Sequence, residues 1–187
     1  PDGDLIVSGA DVKIDATQKL YLDGGSNSYI YEEAADTITL VAGGTSMIQI
    51  TETPIGNYVR FESCGVGFDQ IEPTYNSSNT VVSFDSGNKQ FLTFGSGNIT
   101  TIKLGFPSAS GNFTLILKQD GTGSRTITNW NVYDISGSAA SGSSTVKWAG
   151  GSAPTLTTDA NHVDILSFYW DADNEIAYGV ATLDFQF

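Results

Sequence analysis

The 187 residues suit one large domain or two small ones, with enough chain to bury a real core. Eight Lys and Arg stand against 21 Asp and Glu, a formal charge of −13, which argues against nucleic acid and against anchoring on an anionic membrane. Charged residues make up 16% and hydrophobic ones 40%, and no apolar run approaches a membrane span or follows a basic start as a signal segment would.

In chain order, apolar residues recur at spacing two in short runs broken by Gly, Asn and Asp, which is the mark of strands joined by tight turns. A first strand pair is expected from Leu5 to Val7 and from Val12 to Ile14, turning at Gly9-Ala10-Asp11. Leu20-Tyr21-Leu22-Asp23-Gly24-Gly25 then leads through a polar turn to Tyr29-Ile30-Tyr31-Glu32. The unit is echoed by Ile38-Thr39-Leu40-Val41-Ala42-Gly43-Gly44 leading to Met47-Ile48-Gln49-Ile50. Each is a β-hairpin. Tyr31 to Asp36 is the best helical stretch, but one turn reads better as a connection. Hairpins this thin build no core alone, so residues 1–53 read as a shaft that stacks or winds around copies of itself.

Residues 54–94 read as a bridge with strands at Tyr58-Val59-Arg60-Phe61, Val81 to Phe84 and Gln90 to Phe94. Asp85-Ser86-Gly87-Asn88 signals a hairpin between the last two. Residues 95–187 read as an antiparallel β-sandwich of jelly-roll type. Its strands are expected at Thr100 to Leu104, Phe113 to Lys118, Thr126 to Trp130, Thr145 to Trp148, Val163 to Trp170 and Ile176 to Leu183. Gln119 to Gly123 is expected to turn a hairpin. Ser136 to Ser144, almost pure Ser, Gly and Ala, reads as a flexible surface loop of the kind that carries specificity. Val163 to Trp170 is apolar on both faces and should be central. On the last strand, Ala177, Gly179 and Ala181 form a small-residue stripe that lets another backbone approach. The whole chain is therefore expected to be all-β.

The inventory of reactive groups is short. Cys64 is the single cysteine, so no intrachain disulfide exists, and burial as a small hydrophobe is its expected fate. His162 is the single histidine, which rules out a multi-His metal site within one chain, and it reads as the start of a strand. Asp171-Ala172-Asp173-Asn174-Glu175 is dense in oxygen ligands but lacks a calcium loop's spacing, and reads as a turn. Glu32, Glu33, Glu52 and Glu62 have no spacing that marks a glycosidase pair. No enzyme activity, cofactor or metal is expected.

Aromatics beside loops are better placed for binding. Trp148 and Trp170 read as core. Trp130 and Tyr133 read as stacking faces for a sugar, with Asn129, Asn131 and Asp134 supplying hydrogen bonds to its hydroxyls. Tyr133, between Asn131 and Asp134, is the residue most expected to be exposed.

Two segments resemble bacteriophage fibre proteins. Lys19-Leu20-Tyr21-Leu22-Asp23-Gly24-Gly25, followed by Thr45-Ser46-Met47-Ile48-Gln49-Ile50, is similar to shaft segments of phage tail fibres. In residues 111–184 the blocks Val146-Lys147-Trp148-Ala149-Gly150-Gly151, Ala153-Pro154-Thr155-Leu156-Thr157 and Val163-Asp164-Ile165-Leu166 come in an order that resembles the C-terminal β-domain of virion fibres. The resemblance implies a homotrimer on the outside of a virion, in contact with other virion proteins and with a host cell-surface glycan. A capsid decoration without receptor role and a polysaccharide depolymerase are the alternatives; a cellular carbohydrate-binding module or adhesin is a further one. The resemblance transfers no catalytic residue.

Overall fold

The computed structural model describes residues 11–186, which fall into two compact units divided between Gly67 and Phe68. The chain is all-β; among the described residues the one helical element is a single 3-10 turn at Ala149–Gly151. The expected strand at Leu5 to Val7 lies outside the described residues, and Val12 to Ile14 forms no strand.

The first unit is one antiparallel meander: β1 (Lys19–Tyr21), β2 (Tyr29–Ala34), β3 (Thr37–Ala42), β4 (Thr45–Thr51) and β5 (Tyr58–Phe61), in that order. Both expected hairpins are present. The β3–β4 turn holds Gly43 and Gly44 at φ 58° and 80°, the left-handed pair that a two-residue hairpin needs. The β1–β2 loop is organised by Asp23, whose carboxylate accepts from the backbone amides of Ser26, Asn27 and Ser28. Asn27 is the nearest of these donors in effect, and the three bonds hold the carboxyl below its ordinary range.

Because strand side chains alternate, register sorts the sheet into two unlike faces. One face is polar and largely hydrogen-bonded to itself, the buried Thr51 hydroxyl excepted. Glu33 accepts from Thr39 Oγ1 (2.7 Å) and Gln49 Nε2 (3.0 Å), Arg60 donates to Gln49 Oε1 (2.7 Å), and Arg60 also pairs with Glu62. Tyr21, Tyr29 and Tyr31 continue it edge to face, with the Lys19 ammonium 3.9 Å above the Tyr29 ring. The other face carries an apolar row across all five strands, Leu20, Ile30, Leu40, Ile48 and Phe61, and beside it a second row of Ile38, Ile50 and Val59.

The second unit is a two-layer sandwich. One layer has three strands in the order β11-β9-β7: β7 (Asn79–Ser83), β9 (Ile99–Gly105) and β11 (Ile127–Tyr133). The other has six in the order β12-β14-β13-β10-β8-β6: β6 (Gln70–Ile71), β8 (Lys89–Thr93), β10 (Gly111–Lys118), β12 (Lys147–Trp148), β13 (Val163–Asp171) and β14 (Ile176–Phe185). From β6 to β11 consecutive strands alternate between layers. Next-nearest strands therefore run in the same direction and pair parallel: β7 with β9, β9 with β11, β6 with β8 and β8 with β10. The three-stranded sheet is all parallel and the six-stranded one mixed, which corrects the expected antiparallel sandwich. Asp85–Asn88 and Gln119–Gly123 cross between layers and turn no hairpin. Between the named strands of this unit, antiparallel pairing is confined to β10–β13 and the β13–β14 hairpin, where Asp171 to Glu175 is the expected turn; isolated antiparallel bridges also join Asn131 to Thr145 and Tyr133 to Ala139. As expected, β13 is central.

Between the layers, Val82, Ile102, Leu104, Trp130 and Val132 face Leu92, Leu115, Leu117, Leu166, Phe168 and Trp170, all buried. Phe106 stacks on Trp170 at 4.9 Å and 10°. Buried polar groups tie the crossovers down. Gln119 Nε2 donates to the carbonyls of Arg125 and Thr157 while its Oε1 accepts from Arg125 N. Asp164 accepts from Thr157 N, Thr157 Oγ1 and Asp184 N. Such fully partnered burial fixes one crossover geometry against alternatives.

Candidate binding faces of the sandwich

The residues singled out from the sequence cluster on β11, and alternation splits them. Trp130 points inward, 5% exposed and edge to face with Trp148 at 5.1 Å, so it offers no face to a ligand. This corrects its expected role. Asn129, Asn131 and Tyr133 point outward, in rows with Thr101, Lys103 and Gly105 of β9 and then Asn79, Val81 and Ser83 of β7. Gly105 between Tyr133 and Ser83 leaves a hollow of about 270 Å³ that Lys103, Asp85 and Asp134 also line.

Much of this set is already engaged. Asn129 donates to the Thr100 carbonyl at 3.0 Å, and the Lys103 ammonium lies 5.2 Å from the Tyr133 ring centroid. Asp134 accepts from Ser136 Oγ (2.7 Å) and Ser138 N (3.0 Å), and the Ser136 bond leads in holding its carboxyl below the ordinary range. Tyr133 is half-buried.

The 136–144 segment is not free to vary. Ala140 is buried in the core, its amide donates to Val132 O, and Val132 N donates to Ser144 O. The carboxylate of Glu175 accepts from Ser141 N, and Ser143 N donates to the Glu175 carbonyl. The expected flexible loop is thus a hydrogen-bonded edge along β11.

The outer face of the six-stranded layer presents a second site that sequence reasoning missed. Tyr169 of β13 and Tyr178 of β14 are direct cross-strand partners, their rings 6.5 Å apart and inclined by 26°. They are 49% and 46% exposed. Register extends the row to Asn112 on one side and Lys147 on the other, and Val180, Ser167 and Thr114 lie in the next row. The groove over them measures about 670 Å³ and takes Trp148 into its wall. Two half-exposed rings flanked by an amide, hydroxyls and an ammonium suit a ligand with an apolar face and polar edges, such as a pyranose. The signal was present: in β13 the exposed aromatic falls between the buried Phe168 and Trp170, on the opposite parity.

His162 precedes β13, as expected, and its Nδ1 lies 2.7 Å from Asp184 Oδ1. Asp159 joins them in a cluster that residue spacing did not reveal. Cys64 is exposed, which corrects its expected burial. The chain matches no known protein family, no curated protein and no solved structure.

Proposed function

We propose that this chain is a non-catalytic attachment module of a bacteriophage fibre, a homotrimer on the virion exterior whose sandwich unit binds a host cell-surface glycan. The observation that carries the binding role is the Tyr169–Tyr178 pair: two neighbouring rings held on rigid strands, each close to half exposed, above a groove with polar edges. Rigid presentation limits the ordering cost of binding. The virion assignment rests on the fibre-like order of the sequence blocks, and the trimer on the thin first unit.

The test is adsorption to host cells and to immobilised host surface polysaccharide, for the wild type and for Tyr169→Ala with Tyr178→Ala. Loss of adsorption at an unchanged melting temperature supports the reading. Unchanged adsorption overturns the assigned groove, and a wild type that never adsorbs favours a decoration protein.

A further inference from the structure

The first unit solves half of its folding problem. Its polar face is closed by the Glu33, Gln49 and Arg60 network and by the tyrosine ladder. Among the described residues of the first unit, no second layer of strands covers its apolar face. Among the described residues of this unit, Val41 is the only buried hydrophobic side chain, and it belongs to the polar face. Leu20, Ile38, Ile50, Val59 and Phe61 stay 45%, 47%, 45%, 56% and 50% exposed. A sheet buries one face against another layer or is marginal in water.

We infer that this face is buried against the same face of other copies of the chain, so that the first units form the shared core of the oligomer. The inference deepens the reading of the chain as a trimeric fibre module by assigning the surface that assembles it. Three observations select a copy as occupant. First, the five half-exposed side chains alone present on the order of 500 Å² of apolar surface. That is near the upper range for a patch left open on a monomer and fits the centre of an interface of ~800 Å² per partner. Second, the chain carries −13, yet the two rows hold no charge until Glu32 at the edge of the second. Copies can meet along the uncharged row from Leu20 to Phe61 without setting carboxylate against carboxylate, with Glu32, Asp36 and Glu52, which share a hollow with Ile38 and Ile50, left at the rim. Third, every copy carries the same uncovered face, and symmetric closure covers all of them at once.

The experiment is light scattering on the full chain at micromolar concentration. The wild type should return a multiple of 19.8 kDa, three for the trimer. Ile38→Lys with Val59→Lys places two ammonium groups on the face at positions already exposed, so the sandwich stays folded while the mass falls to that of one chain. Near-UV dichroism checks that fold, since Trp130, Trp148 and Trp170 all lie in the second unit. Ile55→Lys, at a residue 98% exposed and outside the strands, should leave the oligomer intact. A wild-type monomer, or a double variant that keeps its oligomeric mass, overturns the inference. Tyr169→Ala with Tyr178→Ala should keep the mass, so failure of glycan binding and failure of this interface are read separately.

Discussion

The benzo edge of the Trp148 indole rests directly on Gly179, its register partner across the β12–β14 pair. A Cβ at Gly179 would stand 2.7 Å from Trp148 Cζ3 and 2.8 Å from Val146 Cγ1. The small-residue stripe of β14 therefore admits side chains from within the same unit, and no second backbone. Gly179→Ala should destabilise the sandwich by ~1–3 kcal/mol through overpacking. Denaturant unfolding followed by tryptophan fluorescence measures this, with the native emission also shifted as Trp148 moves.

Phe106 is fully buried, stacked on Trp170 and 5.0 Å from Phe84. Phe106→Ala should cost ~3–5 kcal/mol, since the rigid sheets on either side collapse poorly around the cavity. A urea midpoint close to that of the wild type would show that the ring is not part of the core.

Gly142 lies where a Cβ would come 1.8 Å from the Asn174 carbonyl oxygen. Gly142→Ala should pull the 136–144 edge away from the β13–β14 hairpin, at a cost of ~1–3 kcal/mol. Amide exchange at Ser141 and Ser143 should accelerate while exchange in β9 stays slow. A fully mobile segment would show fast exchange in both proteins.

Asp120 accepts from Arg125 Nε (2.9 Å), Gly123 N (2.8 Å) and Thr122 N (3.0 Å). The Arg125 bond leads in holding its carboxyl below the ordinary value of 3.8. A depressed folded pKa contributes stability that is complete above the unfolded value and lost as pH falls through the folded one. Asp120→Asn should therefore melt below the wild type at neutral pH. The gap should begin to narrow as pH falls below 3.8 and close only once pH passes the lower folded value, where Asp120 of the folded wild type is neutral too. Melts between pH 7 and pH 2 check the sign, and a gap that widens in acid contradicts it.

The strands and the local reversals were legible in the sequence because both are short-range. Alternation marks Thr37 to Val41 and Phe113 to Leu117 as strands whatever they pair with, and Gly43-Gly44 supplies the left-handed turn from its own residues. In the first unit the two hairpins and the Tyr58–Phe61 strand could be read for that reason, while Val12 to Ile14 forms no strand and the joining of all five strands into one sheet was not legible. What lay between strands could not. Asp85-Ser86-Gly87-Asn88 has hairpin chemistry, yet Phe84 and Phe94 are both drawn into one core from opposite layers, so the chain crosses over and the parallel pairs follow. The same limit hid the binding face. Alternation states that Trp170 and Tyr169 point opposite ways, as do Trp130 and Asn131. Only the packing of the second layer decides which parity is inside, because burial depends on neighbours distant in sequence.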